Sequence, residues 1–193
     1  MQRKNSIGEE ITQSIETKKK LMQYCSDDIY NTAMKLAEVI KAGNKILLCG
    51  NGGSAADSQH IAAELVVRLR SEVNRPAIPA MALTVDTSIL TAGGNDIGFE
   101  NVFARGVEAF GQKGDVLIAI STSGNSENVV RAVDMAKKKG LMTIGLLGNE
   151  GGKLKSECDD FVVVPSNVTA RIQESHILIG HIWCRIIEEV NYL

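Results

Sequence analysis

The feature that constrains this chain most is the regular alternation of short apolar segments with longer helical ones. Five apolar runs of strand length are predicted as buried β-strands, at residues 45–49, 80–84, 115–120, 141–147 and 161–164. Helices are predicted between and after them, at 54–70, 88–92, 101–110, 126–139 and 170–190. The glycine-containing segment 93–96 is predicted as a turn between the second and third of these helices. Because parallel strands need crossover connections, which helices supply, this order predicts an α/β fold: a three-layer sandwich around a doubly wound, five-stranded parallel sheet.

Two further helices are predicted ahead of the first strand, at 5–24 and 27–42. Ser26 is predicted to cap the second of them, with Asp27 and Asp28 behind it, and Gly43 to end it. No linker or repeat interrupts the chain, so we expect one domain over residues 1–193, made of a helical extension (1–42) and an α/β core (43–193). The extension either packs on the core or mediates assembly. Assembly is favoured, because the first helix would otherwise have little to pack on.

Composition and charge exclude several classes of function. The net charge is −2 and aromatic residues are 4% of the chain, which does not suit a surface that binds nucleic acid. No run reaches the roughly 18–20 apolar residues of a membrane span, and the N-terminus lacks the apolar stretch of a signal peptide. The four cysteines form no CxxC pair and are expected as free thiols. We therefore expect a cytoplasmic protein that binds neither nucleic acid nor membrane.

A glycine-rich loop, residues 50–54, follows the first strand. Its sequence, Gly-Asn-Gly-Gly-Ser, lets the backbone turn sharply and approach a ligand closely. It also opens a helix, whose free N–H groups favour an anion. The loop is not a dinucleotide fingerprint, because Ala55 replaces the third glycine of that motif, and it lacks the Gly-Lys-Ser/Thr ending of a P-loop. A simple tight turn is the alternative.

A hydroxyl-rich loop, residues 121–126, follows the third strand. Ser121, Thr122, Ser123 and Ser126 surround Gly124 ahead of a predicted helix. Short hydroxyl donors, free helix N–H groups and little bulk are what a phosphate monoester requires. Helix capping accounts for one or two of these hydroxyls but not for all four. The loop is therefore predicted to bind phosphate, beyond the carboxyl ends of the strands where doubly wound sheets bind ligands.

Two helices carry side chains that suit acid–base or metal chemistry. His60 and Glu64 share one face of the helix after the glycine-rich loop, and Gln173 and His181 share one face of the last helix. If both helices border one cleft, a carboxylate and an imidazole can serve as general base and general acid. The same four residues also offer two nitrogens and two oxygens, a set compatible with Zn²⁺. A surface ion pair and a core histidine are the structural alternatives.

These motifs resemble those of the SIS (sugar isomerase) domain family, and within it the phosphoheptose isomerases. The matching stretches are GNGGSAADSQHIAAELVVR (50–68), RPAIPAMALTVDTSILTAGGND (75–96), GDVLIAISTSGNSENVVRA (114–132) and RIQESHILIGHIWCRIIE (171–188). The resemblance implies the fold described above and a homotetramer with active sites at subunit interfaces. It also implies aldose–ketose isomerisation of sedoheptulose 7-phosphate to D-glycero-D-manno-heptose 7-phosphate, the first step towards the activated heptose of surface glycans.

The resemblance also implies roles for individual residues. Glu64 would move a proton between C1 and C2 through an enediol, and His181 would open the ring and shuttle protons at the oxygens. Substrate would be bound by Asn51, Gly52, Gly53, Ser54, Arg68, Asn95, Asp96, Ser121, Thr122, Ser123, Ser126 and Gln173. Some members of the family bind Zn²⁺ through the positions of His60, Glu64, Gln173 and His181. Because a metal-bound carboxylate is a poorer base, the metal is either structural or positioning, or a Lewis acid on the carbonyl; the sequence leaves these open.

One relative within the SIS family suggests an alternative function. The replication-initiator-associating protein keeps the SIS fold and the tetramer but binds a protein partner and does not catalyse. It lacks the glutamate and the last histidine, whereas Glu64 and His181 are both present here, which favours an enzyme. Regulators that sense sugar phosphates usually carry an added DNA-binding or catalytic domain, for which 193 residues are expected to leave no room.

Overall fold

The centre of the molecule is one parallel sheet of five strands. The computed structural model describes residues 2–193, with the side chains of 6–193; Met1, the first residue of the expected extension, lies outside this part. The strands are β1 (Ile46–Gly50), β2 (Ala80–Ala82), β3 (Val116–Ser121), β4 (Met142–Leu147) and β5 (Asp160–Val163). Their order is β2-β1-β3-β4-β5, and each neighbouring pair is parallel. The predicted fold class is confirmed.

Eight α-helices and a short 3₁₀ turn, Phe99–Asn101, complete the part of the chain from residue 2 to residue 193. The helices are α1 (Gln2–Tyr24), α2 (Ser26–Lys41), α3 (Gly53–Val66), α4 (Thr87–Asp96), α5 (Val102–Phe110), α6 (Glu127–Lys139), α7 (Leu154–Glu157) and α8 (Thr169–Tyr192). The 3₁₀ turn and α7 were not predicted. Within the described residues, no helix combines the length and the apolar character needed to cross a membrane.

The sheet separates two apolar cores, because its central strands are buried on both faces. In β1, Ile46 and Leu48 belong to one core while Leu47 and Cys49 belong to the other. All four are fully buried, as expected for a parallel strand covered by helices on both sides. The first core also takes side chains from α1, α2, α3 and α8, and the second takes them from α5, α6 and α7. The result is the predicted three-layer sandwich.

The chain leaves the two central strands in opposite directions. β1 and β3 are neighbours at the centre of the sheet. The chain runs from β1 to β2, towards one edge of the sheet, and from β3 to β4, towards the other edge. This divergence is a topological switch point, where a crevice opens outside the carboxyl ends of the strands. β1 ends at Gly50 and β3 ends at Ser121. The glycine-rich and hydroxyl-rich loops therefore both begin at this crevice.

The segment 93–96, which the sequence predicts as a turn, forms the last turn of α4 instead. Asp86 starts this helix, since its carboxylate accepts the backbone N–H of Ile89 (2.8 Å). Gly93 continues the helix because α4 packs closely on α5: a Cβ at Gly93 would lie 3.0 Å from a methyl carbon of Val102. Gly93 serves helix packing here and α4 runs through Asp96, so the turn prediction is wrong.

Two helix boundaries also differ from the prediction. Ser26 does not cap α2, because its hydroxyl donates to the carbonyl of Met22 (2.6 Å) and the N-cap position falls at Cys25. Helix α3 ends at Val66, about one turn earlier than predicted. The residues that follow α3 leave the helix to bring an arginine, Arg75, back against its end.

Candidate active site

The glycine-rich loop bends tightly between β1 and α3. Gly52 has a φ of 55°, a conformation that favours glycine. A Cβ at Gly50 would lie within 2.9 Å of atoms of Ser54 and of the carbonyl oxygen of Ile120. The loop leaves Gly52 and Gly53 exposed at the start of α3. The N–H groups of Ser54 and Ala55 donate to the carbonyls of Asn51 and Gly52 (3.0 Å and 3.1 Å), so the main-chain donors available to a ligand are those of the two exposed glycines. The loop can therefore bring main-chain donors into direct contact with a ligand.

Two hydroxyls of the second loop converge on that of Ser121. The Ser121 hydroxyl oxygen lies 3.2 Å from that of Ser126 and 3.5 Å from that of Ser123. It also accepts the backbone N–H of Gly124 (3.1 Å). Helix α6 begins directly after Ser126, so this cluster of donors lies at a helix N-terminus. The combination of hydroxyls, backbone N–H groups and the helix dipole suits a bound anion.

A supporting loop, residues 148–152, holds the hydroxyl-rich loop in place. The side-chain amide of Asn149 donates to the carbonyl of Thr122 (2.7 Å), and the backbone N–H of Leu154 donates to that of Gly124 (3.0 Å). Gly124 has a φ of 66°, and a side chain there would overlap the carbonyl of Gly151. Sequence reasoning missed this loop. Its Gly-Asn-Glu-Gly-Gly composition directly after β4 was the signal that could have found it.

A reciprocal pair of side-chain amides joins the two principal loops. Asn51 donates to Asn128 (2.8 Å), and Asn128 donates back to Asn51 (2.9 Å). A cavity of about 410 Å³ opens beside this pair, lined by Asn51, Phe99, Glu100, Ser126, Glu127 and Asn128. Asn128 was not predicted. Its signal is a polar residue on the buried face of α6, next to Val129 and one turn before Ala132.

His60, Glu64 and His181 meet where α3 faces α8; we call them the His–Glu–His group. The Nε2 atom of His60 lies 3.0 Å from Oε1 of Glu64 and 3.0 Å from Nε2 of His181. One ligand atom from each residue lies within 4.8 Å of the others. The His60 side chain is 49% exposed and that of Glu64 22%, so the group remains accessible from outside the chain.

Close packing of the two helices makes this approach possible. Gly180 precedes His181, and a Cβ at Gly180 would lie 2.6 Å and 2.7 Å from two side-chain carbons of Ile61, which follows His60. Ile61 is 1% exposed and, in a densely packed core, has little room to give way. The missing side chain of Gly180 therefore lets the two imidazoles come within contact distance.

The donor set of this group fits a divalent cation. A neutral imidazole nitrogen either donates one hydrogen or accepts one, yet Nε2 of His60 meets both a carboxylate oxygen and a second imidazole nitrogen at 3.0 Å. A cation shared by the three atoms would satisfy both contacts. Ligand atoms about 2.0–2.1 Å from a tetrahedral metal are roughly 3.3 Å apart, close to the separations seen here.

Gln173 lies apart from this group, further towards the start of α8. Its side-chain amide packs against the backbone of Gly53, where a Cβ would overlap it. Eight residues of helix separate it from His181, a rise of roughly 12 Å. The fold thus brings together three of the four predicted metal ligands, and Gln173 as the fourth stays a prediction.

Besides Gln173, three predicted substrate-binding residues lie outside both loops. Asn95 and Asp96 are exposed in the last turn of α4, where the amide of Asn95 donates to the carboxylate of Asp96 (2.7 Å). Arg68 is exposed beyond the end of α3, and its guanidinium donates to the carbonyl of Ser71 (3.2 Å). Their parts in substrate binding stay predictions.

Both the sequence and the fold of this chain match known proteins. The family model of the SIS domain matches residues 10–148. The chain belongs to the SIS domain family. A phosphoheptose isomerase from Nitratiruptor sp. is 57% identical over 183 residues, which are 95% of this chain and 97% of that protein.

Solved structures of SIS proteins agree with the fold. A phosphoheptose isomerase from Francisella tularensis superposes with a TM-score of 0.94 at 37% identity, covering 98% of this chain and 100% of that one. One from Neisseria gonorrhoeae superposes with a TM-score of 0.90 at 41% identity, covering 96% and 98%. This SIS chain is therefore an enzyme of the aldose–ketose isomerase class, as its sequence predicts.

The SIS core holds one more acidic group near the His–Glu–His group, Asp57, which was not predicted. Asp57 lies on α3 three residues before His60. Burial raises the pKa of its carboxyl to about 6, and the neighbouring His60 partly offsets this effect. Its Oδ2 atom is buried and has no hydrogen-bond partner among the described residues. A second carboxyl group thus lies within electrostatic range of the His60 imidazole.

His176, the remaining histidine, has a structural position. Its side chain is buried, and its Nε2 donates to the carbonyl of Leu147 at the end of β4 (3.0 Å). Burial lowers the pKa of His176 to about 4, so the imidazole is neutral near pH 7. It anchors α8 to the strand from which the supporting loop begins.

Proposed function

We propose that this SIS isomerase interconverts the ketose and aldose forms of a seven-carbon sugar phosphate. The substrate is sedoheptulose 7-phosphate and the product D-glycero-D-manno-heptose 7-phosphate, which begins the route to nucleotide-activated heptose. The observation that carries the proposal is the meeting of Glu64 and His181 in one accessible group. Relatives named phosphoheptose isomerase, at 57% and 54% identity over nearly the whole chain, support the choice of sugar.

The reaction needs one group that moves a proton between carbons and one that moves a proton between oxygens. Glu64 is proposed as the base that takes a proton from C1 of the ketose, leaving an enediol, and returns it to C2. His181 is proposed to donate a proton to O2 as the carbonyl becomes a hydroxyl, and to accept one from O1 as the new carbonyl forms. Protons and electron pairs stay within substrate and enzyme, so the sequence of steps balances as an isomerisation.

The crevice between the loops is proposed to hold the substrate. Its phosphate would be bound at the N-terminus of α6 by the hydroxyls of Ser121, Thr122, Ser123 and Ser126. The sugar would contact the glycine-rich loop, and the wider binding surface is proposed to comprise Asn51, Gly52, Gly53, Ser54, Arg68, Asn95, Asp96 and Gln173. The convergence of the Ser123 and Ser126 hydroxyls on that of Ser121, at 3.5 Å and 3.2 Å, supports this placement of the phosphate.

We expect the double substitution Ser121→Ala and Ser123→Ala to raise KM by roughly a hundredfold, because two hydrogen bonds to a charged group are lost. Turnover at saturation should fall far less, since neither residue is proposed to touch the carbons that react. Steady-state kinetics over a range of substrate concentration measures both quantities. Ser26→Ala, which removes an exposed hydroxyl on α2, is the control. An unchanged KM in the double variant would contradict the phosphate site.

The same group is proposed to bind Zn²⁺, with His60, Glu64 and His181 as ligands and Gln173 as the predicted fourth. When bound, the cation would supply a Lewis acid and a fixed geometry for the substrate oxygens. The two nitrogens and one carboxylate oxygen that meet here support this choice of metal. Equilibrium dialysis should find about one Zn²⁺ per chain, and much weaker binding after His60→Gln. Equal binding by both proteins would contradict the site.

Helix α1 is proposed to assemble the chain into a homotetramer with active sites at subunit interfaces. Its residues Ile7, Ile11 and Ile15 fall four apart on one face and are 62%, 57% and 48% exposed. Such an apolar stripe is typical of a surface that another chain covers. The other part of the proposed extension, α2, packs on the core through Leu36 and Ile40.

We expect Ile11→Lys to dissociate the tetramer, because it places a charge in the centre of this stripe. Sedimentation of the full chain measures the mass, which should fall from about four chains to fewer, while circular dichroism stays unchanged. Lys19→Ala, on the same helix and in an exposed ion pair with Glu16, is the control. A wild-type chain that sediments as a monomer would contradict the proposal directly.

The proposed activity is tested by incubating the purified chain with sedoheptulose 7-phosphate, with and without Zn²⁺, and detecting the aldoheptose phosphate. We expect conversion towards an equilibrium mixture. If no aldoheptose phosphate forms under either condition, the proposal is contradicted. The alternative, a non-catalytic SIS tetramer that binds a replication-initiator protein, would then be favoured. The presence of both Glu64 and His181 argues against that alternative, as no such pair is needed for binding alone.

A cytoplasmic location is also proposed. The cysteines Cys25, Cys49, Cys158 and Cys184 are all free, and three of them are buried, as is usual in a reducing compartment. Cell fractionation would test this, since recovery of the chain outside the cytoplasmic fraction would contradict it.

A further inference from the structure

A fully buried arginine, Arg75, lies where the end of α3 meets the last third of α8. Its Nε donates to Oε1 of Glu188 on α8 (2.9 Å). Its two terminal nitrogens donate to the main-chain carbonyls of Leu65 and Glu64, each at 2.8 Å. One guanidinium thus binds both helices that carry the His–Glu–His group, and on α3 it binds the backbone of Glu64 itself.

Glu188 is buried as completely as Arg75, and further donors satisfy it. Its Oε2 accepts from Nε of Arg70 (3.2 Å), and its Oε1 also accepts from the backbone N–H of Leu69 (3.3 Å). Buried charges persist only where such partners compensate them. Arg75 and Glu188 therefore form a fixed joint between the segment that follows α3 and the body of α8.

The joint acts on the turn of α3 that contains the carboxylate. The last four carbonyls of a helix have no partners within it, and α3 ends at Val66. Arg75 supplies donors to two of these carbonyls, and its positive charge lies at the negative end of the helix dipole. The Leu65 carbonyl also accepts the backbone N–H of Ile78 (3.1 Å), so it is the Glu64 carbonyl that depends on Arg75. We expect the loss of Arg75 to loosen this turn and to shift the Glu64 side chain, because its Cα belongs to the turn.

We propose that Arg75 and Glu188 are positioning residues for the isomerase reaction. They fix α3 against α8 and so set the distance from the Glu64 carboxylate to the His181 imidazole. This inference rests on the roles proposed above for Glu64 and His181. The glycine-rich loop, proposed to contact the sugar, lies at the other end of α3, and its Gly53 is eleven residues or roughly 16 Å from Glu64. The hydroxyl-rich loop, proposed to bind the phosphate, precedes a different helix, α6. The joint should therefore govern turnover and cation affinity, and leave the contacts that the two loops make with substrate unchanged.

Two variants separate positioning from stability. Arg75→Lys keeps the positive charge but loses the planar fork that reaches both carbonyls and Glu188 together. The double variant Arg75→Met, Glu188→Met removes both charges at once, a replacement that buried ion pairs often tolerate without unfolding. The control is Lys45→Met, which breaks an ion pair between a partly exposed lysine and a buried carboxylate, Lys45 with Asp115 (2.5 Å), at the amino edge of the sheet.

The readouts are kcat, KM, the thermal midpoint and the affinity of the metal-stripped full chain for Zn²⁺ or Co²⁺. In both Arg75 variants we expect kcat and cation affinity to fall roughly tenfold to a hundredfold, as for other residues that orient metal ligands. KM should change by less than about twofold. Lys45→Met should lower the thermal midpoint and leave kcat and cation affinity at their wild-type values.

The positioning role of Arg75 and Glu188 is contradicted if both Arg75 variants are folded and keep wild-type kcat and cation affinity. It is equally wrong if Lys45→Met loses as much kcat as they do, since the effect would then follow stability alone. A wild-type chain that does not convert sedoheptulose 7-phosphate contradicts the proposed function instead. In that case the cation affinities still decide whether Arg75 and Glu188 fix the His–Glu–His group.

Discussion

Glu64→Gln is expected to lower turnover by about a thousandfold, the middle of the range for loss of a general base. The substitution keeps the size of the side chain and its place beside His60, but an amide cannot take a proton from carbon. Steady-state kinetics measures the loss. The Glu64 side chain is 22% exposed, and its contact with His60 lies within one helix. A glutamine of the same size can occupy that place, so the thermal midpoint and the sedimentation mass should stay close to those of the wild type.

If Glu64 only bound a cation, its replacement would lower turnover by a similar amount. Proton transfer at carbon therefore has to be measured separately. In D₂O, the proton on the accessible Glu64 carboxyl exchanges with solvent in part of the turnovers before it is returned. Wild-type enzyme should therefore place some deuterium on C2, and Glu64→Gln should place almost none. Glu108→Gln, an exposed glutamate on α5, is the control. Deuterium incorporation at the wild-type rate by Glu64→Gln would show that another group is the base.

His181→Gln is expected to lower turnover by at least a hundredfold, because it removes the group proposed to move protons between O1 and O2. Gln173, Ser121 and the loops are unchanged, so substrate should still bind. The cation affinity should also fall, since one of the two imidazole nitrogens that meet at 3.0 Å is lost. Kinetics and equilibrium dialysis on the same preparation measure the two effects together.

His60→Gln separates the two roles of His181. Both substitutions remove one nitrogen from the His–Glu–His group and should weaken cation binding to a similar degree. Only His181 is proposed to exchange protons with the substrate, so His181→Gln should lose more turnover than His60→Gln when both are saturated with Zn²⁺. Equal losses in the two variants would leave His181 with a ligand role alone and place the acid–base function on another residue.

The strands could be predicted from the sequence because their signal is local. β1 and β3 are uninterrupted apolar runs, and burial on both faces leaves that pattern whatever the neighbouring strands are. The same holds for the hydroxyl-rich loop and for His60 with Glu64, whose members are close together in the chain. The prediction for segment 93–96 was wrong for the opposite reason. Glycine occurs both in turns and within helices, and the contact of Gly93 with α5, which is not local in sequence, decides that the helix continues.

The contacts that make the site precise join residues far apart in sequence. Arg75 and Glu188 are separated by 113 residues, and Asn51 and Asn128 by 77. Neither pair has a spacing that marks it, since each forms only when crossover connections bring separate elements together. The chemistry-bearing residues could therefore be named from motifs, whereas the residues that hold them could be found only from the fold.

The half-exposed His60 has a consequence for how the enzyme would respond to its own concentration. If a neighbouring subunit covers the His–Glu–His group, the shielded environment that an enediol needs belongs to the assembly. The rate per chain would then obey mass action, falling on dilution below the dissociation constant of the tetramer although every subunit stays folded. Such an enzyme would have a threshold: a cell making few copies would hold intact protein with almost no activity.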